Sequence, residues 1–221
     1  DNVNNGGCMR VLNQQTKDGA SPLLNNILLI WGDSSKKLFS GEAANDELNQ
    51  YYLNIIYGRV SKQSITSKKL KLFSGIGKQG FETVSCQFSI HYFFKNEEIL
   101  DIFLTNVSDN LKTNGKFIAT CLDGNELFTR LKSNPLIEGM IGDTYVWKIF
   151  KKYSEEALEN NSTCLGLEVD IYIESINQTL TEYLVNFDYL KTKAIKYNLE
   201  LVKIESFKDI YDEFIISDNT Y

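Results

Sequence analysis

The stretch from residue 81 to residue 132 constrains the fold more than any other part of the chain. Residues 81–86 form a short apolar run bounded by turn signals, the pattern of a buried strand, and residues 116–121 repeat it. Between them, Asn96 stands as a helix cap, Glu97 and Glu98 follow as first-turn acids, and apolar residues recur at helical spacing to Leu111. Asn114-Gly115 turns the chain into the second strand. Asp123 with Glu126 then reads as a capping-box variant opening another helix through Lys132. Strand, helix, strand, helix at this spacing predicts a parallel sheet in an α/β fold. The right-handed crossover rule puts both strand ends on one edge.

That edge is where ligands collect in open α/β sheets, and the chain's single histidine stands there. Gln87, Phe88, Ser89, His91 and Tyr92 offer stacking faces, donors and acceptors within six positions of the first strand's end. Upstream, residues 25–31 read as another buried strand, leaving through the loop Gly32-Asp33-Ser34-Ser35. From about Pro135 the texture changes. Residues 144–150, 166–173 and 181–185 read as short strands with no helices between them, so residues 136–185 are expected to form an antiparallel β insertion. A helix over 187–197, a strand over 199–204 and a last helix from Ser206 follow.

With 221 residues, 43% hydrophobic and 24% charged, the sequence predicts one globular domain rather than a disordered or fibrous chain. No apolar run approaches the roughly 20 residues of a membrane helix. The start carries neither a basic leader with an apolar core nor an initiator methionine, as a processed or truncated chain would. Cys8, Cys86, Cys121 and Cys164 are widely spaced without a C-x-x-C pair, which points to reduced thiols rather than to a zinc site or disulfide framework. Sequons at Asn106, Asn160, Asn161 and Asn177 are expected by chance in so asparagine-rich a chain. A net charge of −6 argues against coating nucleic acid through its phosphates, though not against gripping one end of a strand. One basic stretch runs from Lys62 through Lys68, Lys69 and Lys71 to Lys78; it reads either as a solvated loop or as a contact for a polyanion.

Read together, residues 81–92, Gly32-Asp33-Ser34-Ser35, residues 115–120, residues 181–185 and the tail 196–213 resemble the messenger-RNA cap guanine-N7 methyltransferases. The likeness looks closest to the methyltransferase domains of large DNA virus capping enzymes, and Gln-Phe-x-x-His-Tyr at Gln87 to Tyr92 is its most specific motif. The resemblance implies a class I Rossmann-like fold that moves a methyl group from S-adenosylmethionine to N7 of the guanosine capping an RNA 5′ end. Guanine N7 carries an in-plane lone pair, so no proton must leave before in-line attack and no general base is needed; proximity and electrostatics suffice. No catalytic residue or metal ligand is therefore expected.

By the resemblance, Phe88, His91 and Tyr92 bind the cap guanine. Glu182 accepts from guanine's N1–H and exocyclic amine, a donor pair that adenine cannot present. Asp33, Ser34, Gln87 and Ser89 match cofactor-side positions, and Arg10 is a weaker candidate for the cap phosphates. As alternatives, Gly-Asp-Ser-Ser is also a plain turn and helix cap, the aromatics are also ordinary core residues, and a strand glutamate alone is a solvated face residue. The family's glycine fingerprint and first strands, including the ribose-holding acid, are expected before Asp1, and a last strand after Tyr221. An isolated chain without them is expected to bind S-adenosylmethionine poorly. Expected partners are the capped 5′ end of mRNA, fused or associated guanylyltransferase and triphosphatase domains, or a stimulatory subunit. The location would be the cytoplasm, as viral factory or virion, for a virus and the nucleus for a cell. A non-catalytic capped-RNA-binding or stimulatory module is the main alternative. A methyltransferase of small molecules is disfavoured by Glu182 and the His-Tyr pair.

Overall fold

The computed structural model describes residues 26–218. Its elements are α1 (Glu47–Ile56), α2 (Lys68–Leu72), β1 (Phe81–Gln87), α3 (Glu97–Asn110), β2 (Leu111–Thr120) and α4 (Gly124–Ser133). There follow β3 (Leu136–Ile141), β4 (Thr144–Lys151), β5 (Glu168–Ile173), β6 (Gln178–Tyr183), α5 (Phe187–Ile195) and α6 (Phe207–Asp218). Strands β1 and β2 pair in parallel, in register from Thr83 opposite Lys116 to Gln87 opposite Thr120. Strands β3 to β6 form an antiparallel meander in sequence order.

Local chemistry fixes the helix that joins the parallel strands. The Asn96 side chain accepts from the Ile99 N–H at 2.9 Å, with Glu97 and Glu98 at the positive end of the helix dipole. Leu100, Phe103, Leu104 and Val107 recur at 3.6-residue spacing and are buried. They meet Phe93 and Phe94 from the 3-10 turn Ile90–Lys95, Cys164 from the connection between β4 and β5, and Val185 and Tyr189 from beyond the meander, so one core spans both sheets. A second cluster joins Leu127, Phe128 and Leu131 of α4 to Ile149, Val169 and Ile171 of the meander. A Cβ on Gly124 would lie 2.4 Å from the Val185 carbonyl oxygen, so α4 reaches this position only with glycine. In β2, Asn114 adopts φ 65° and the ladder slips between Phe81 and Thr83, placing the expected Asn-Gly turn inside the strand rather than before it.

Two expected strands are corrected. Residues 26–31 run without a ladder: the Trp31 N–H donates to Asn49 Oδ1 at 2.7 Å, and only Gly32 bridges to Ala44. Residues 199–204 are coil, with Leu199 part-buried against the main core and residues 200–204 exposed. Apolar content made both read as strands, but among the described residues β1 and β2 pair only with each other. Conversely β3, interrupted by Gly139, and the helices α1 and α2 have no counterpart in the sequence reading. Asn106 is buried in α3, which excludes its sequon from glycosylation. Cys86, Cys121 and Cys164 are free thiols, and among the described residues no helix is long and apolar enough to cross a membrane.

Lys193 of α5, 5% exposed, ties that helix to α3 through Glu97 Oε1 at 2.8 Å and Asp101 Oδ1 at 2.5 Å. Burial alone would lower its pKa; the two carboxylates outweigh it and hold the ammonium above the usual lysine value. Removing a buried partner leaves charges unpaired. Lys193→Ala is expected to cost about 2–3 kcal/mol, read as a lower urea midpoint at unchanged slope.

Candidate functional site

The carboxyl end of β1 is locked before it turns. Thr120, at the end of β2, donates from Oγ1 to Gln87 Oε1 at 2.8 Å; its Oγ1 and its carbonyl oxygen each accept from the Phe88 N–H at 3.0 Å. Gln87 Nε2 donates to Ser85 Oγ at 2.9 Å, and Ser89 Oγ donates to the Gln87 carbonyl at 2.8 Å. Phe88 is thereby held at φ 51°, a left-handed conformation uncommon for a bulky residue and concentrated at functional sites. Its ring is exposed and stacks on Phe207 of α6 with centroids 5.8 Å apart.

The chain then enters the buried turn Ile90–Lys95, which packs against β6. There the structure brings together two residues far apart in sequence: His91 Nδ1 lies 3.4 Å from Glu182 Oε2, with the two side chains 8% and 14% exposed. Tyr92 packs edge-on against His91, with centroids 4.2 Å apart, and keeps its ring partly in solvent. Burial pushes Glu182 up to about 7 and His91 down to about 4. At neutral pH the imidazole is therefore uncharged and the carboxyl half protonated, so the 3.4 Å approach is a loose polar contact rather than an ion pair. His91 Nε2 is buried without a hydrogen-bond partner. A buried polar atom without a hydrogen-bond partner is uncommon in a folded protein. Burial raises the Tyr92 pKa and the Glu182 charge adds to it; the same charge contributes a smaller part of the rise at Cys121, next to the end of β2.

A cleft of about 390 Å³ runs along β1, and Ser34, Gln87 and Ser89 line it together with Val84, Phe103 and Asn106. Asn106 builds its wall, accepting from the Leu38 N–H at 2.9 Å and donating to the Ser34 and Lys36 carbonyls at 3.0 and 2.8 Å. Sequence reasoning missed this role; the available signal was an asparagine within the apolar face of α3. Asp33 does not line the cleft. Its Oδ1 accepts from the Ser35 N–H at 2.9 Å and from Ser35 Oγ at 2.6 Å, the geometry of a plain turn. The Ser35 hydroxyl, opposed by burial and helped by the Ser35 N–H and the Lys36 charge, sets Asp33 below its ordinary pKa. Arg10 lies outside the described residues. A second hollow of about 400 Å³, near Arg130 and Trp147, contains none of the expected residues.

The buried His91–Glu182 pair stands beside a strand-end cleft, and comparison with known proteins gives the family. The model of the mRNA (guanine-N(7))-methyltransferase domain matches residues 33–220. The chain belongs to that family. Its mixed α/β architecture, a parallel sheet with an antiparallel one, agrees with the class I methyltransferase fold. A probable mRNA-capping enzyme of Acanthamoeba polyphaga mimivirus is 31% identical over 139 residues, covering 61% of this chain and 12% of that protein. The mRNA cap guanine-N(7) methyltransferase 1 of Arabidopsis thaliana is 31% identical over 136 residues, covering 61% of this chain and 36% of that protein. The enzyme of Schizosaccharomyces pombe is 30% identical over 133 residues, covering 60% and 36%. The matched region thus spans about a third or less of these relatives' length.

Glu182 has a stability cost with a defined sign. Its folded pKa, about 7, exceeds its ordinary 4.5, so the stability it contributes is complete below about pH 4.5 and is lost as pH rises through 7. His91 works oppositely, losing its contribution as pH falls from 6.5 through about 4. Glu182→Gln removes only the first dependence. Its Tm is expected to exceed wild type at pH 8, by about 2–4 °C for each kcal/mol relieved, with the difference vanishing near pH 4.5 in a calorimetric series.

Proposed function

We propose that the protein acts as an mRNA cap (guanine-N7) methyltransferase. The observation that carries this is the buried Glu182 carboxyl beside His91, whose Nε2 has no partner. A carboxylate removed from water is expensive unless something donates to it. Guanine's N1–H and exocyclic amine supply two parallel donors, and methylation at N7 gives the ring a positive charge that strengthens both bonds. His91 Nε2 gains its missing partner from the same ligand. The exposed faces of Phe88 and Tyr92 supply stacking, about 1–3 kcal/mol per base.

S-adenosylmethionine supplies, when bound, an electrophilic methyl group on sulfur. The lining of the β1 cleft fits such a polar, part-apolar molecule: Ser34, Gln87 and Ser89 would hold it, with Val84 and Phe103 as the apolar wall. The protein's own work is to bind, orient and exclude water. Glu182 and His91 fix the guanine plane, the rings hold it, and the hydrogen-bonded end of β1 keeps both sides in register. No residue needs to take a proton, because N7 has none.

The relatives named as mRNA cap methyltransferases and as a probable capping enzyme support this function, and the mimivirus protein's name and length are compatible with fusion to other capping domains, for which guanylyltransferase and triphosphatase are the candidates. A stimulatory subunit is the other arrangement compatible with it. Such a protein works where transcripts are capped, in the cytoplasm for a virus and the nucleus for a cell. Radiolabelled methyl transfer to an RNA with an unmethylated cap tests the function; binding of capped RNA with no transfer would instead favour a non-catalytic module.

Two outcomes follow from Glu182. Glu182→Gln turns one acceptor into a donor facing guanine's amine. Affinity for a guanosine cap dinucleotide is expected to fall about tenfold to a hundredfold, with adenosine-capped binding little changed, by titration calorimetry. In wild type, cap affinity is expected to weaken as pH falls below about 7, where Glu182 protonates in the free protein, approaching tenfold per pH unit; Glu182→Gln should show a flat profile.

A further inference from the structure

Residues 48–81 contain six cations, Arg59, Lys62, Lys68, Lys69, Lys71 and Lys78, and not one acid, in a chain with 29 acidic and 23 basic residues. A stretch drawn at that ratio holds more acids than bases. The structure sharpens the imbalance. Eight described cations outside this segment form an ion pair with an acid, whereas among the described residues none of the six does.

The segment is also not a loose loop. Ile55, Ile65 and Phe73 form a small buried core beneath it, backed by Tyr51, Val60 and Leu70. The Gly75 and Gly77 N–H groups donate to the Ile55 and Ile56 carbonyls at 2.9 and 3.0 Å. The Tyr57 hydroxyl donates to Asn110 Oδ1 at 2.8 Å, fastening the unit to the end of α3. The cations therefore stand on a fixed base. Arg59 Nη1 donates to Asn54 Oδ1 at 3.2 Å, and the guanidinium lies over the Phe39 and Tyr57 rings at 4.7 and 5.5 Å. Lys78 lies against the adjacent Gly58, where an added Cβ would come within 2.8 Å of its ammonium. Two cations are thus folded onto neighbouring positions with no acid between them; Asp109 influences Tyr57 but forms no ion pair with Arg59. Like charges assembled at a cost in repulsion, on an otherwise acidic protein, call for an anion from outside.

We propose that this face, from Arg59 to Lys78, is a surface for the sugar-phosphate backbone of single-stranded RNA beyond the cap. It rests on the reading of the protein as acting on capped RNA. Position excludes the cap triphosphate as the ligand. The segment leads into the start of β1, whereas Gln87 to Tyr92 stand at its end, so a seven-residue strand, about 23 Å, separates the two. The cations meet phosphates several nucleotides downstream. RNA is favoured over an acidic protein because the segment is cation-rich yet ring-bearing: Leu72 and Ile76 are exposed only singly, while Arg59 stands over the Phe39 and Tyr57 rings, a setting in which a guanidinium suits phosphate and base contacts alike.

The test uses fluorescence anisotropy on the full chain across a salt series, with a cap dinucleotide and a capped RNA of about twenty nucleotides. The proteins are wild type, Arg59→Glu with Lys78→Glu, and Lys68→Glu with Lys69→Glu. Both pairs are expected to leave dinucleotide binding unchanged and to weaken the long RNA about tenfold or more at low salt. The slope of log affinity against log salt should become shallower by about 0.7 for each phosphate that the protein no longer neutralises. Wild-type binding and slope in both pairs would overturn the proposal, as would displacement by a polyglutamate peptide that bound the wild-type face more tightly than the long RNA did. A wild-type dinucleotide that failed to bind, with the long RNA still sensitive to the reversals, would count against the cap reading alone.

Discussion

The burial of one short turn, Ile90–Lys95, between the two sheets is the constraint on which the rest of the molecule depends. Phe94 is fully buried, and its carbonyl accepts from the Gly166 N–H at 2.9 Å, linking the parallel side to the start of β5. Phe93 stacks on Phe103 of α3 from the same turn. Because β1 runs directly into this turn, its carboxyl end is fixed twice over, by Thr120 just before the turn and by the shared core just after it. His91 is carried into the protein by that packing, and β6 brings Glu182 to it. The His91–Glu182 pair is a by-product of how the sheets join, which is why neither sheet alone would hold it.

The electrostatics of the pair explain why the arrangement suits a donor-rich base. Burial opposes charge on both groups, lifting Glu182 and depressing His91. On the proposed reading, a guanine that donates twice to the carboxylate would reverse the first of these penalties, and adenine would not. Specificity of this sort comes from what an incorrect ligand leaves unpaired.

How much was legible depended on whether a feature was local. β1, α3, β2 and α4 could be read because Asn96, Asp123 and the apolar spacing of α3 are near-neighbour signals, and the structure uses those same caps. Residues 25–31 and 199–204 were misread because an apolar run shows that a segment can be a strand, while pairing decides whether it is one. β3 was missed because Gly139, where a Cβ would meet the Trp147 ring at 2.3 Å, makes a strand from a pattern that reads as a turn. The Glu182 to His91 contact was visible only through family resemblance; no spacing rule joins residues so far apart. Asn106 was visible only as a sequon, because a buried amide gives no sequence signal of what it holds.

The central claim is that Glu182 is a buried carboxyl held for guanine. Its titration can be followed directly by carbon NMR of the labelled side chain, with Glu182→Gln assigning the resonance. In the free protein the midpoint is predicted near 7. With saturating guanosine cap dinucleotide it should fall by at least about one unit, and with the adenosine analogue it should not move. A midpoint near the ordinary value in the free protein, or one indifferent to guanine, would contradict the account.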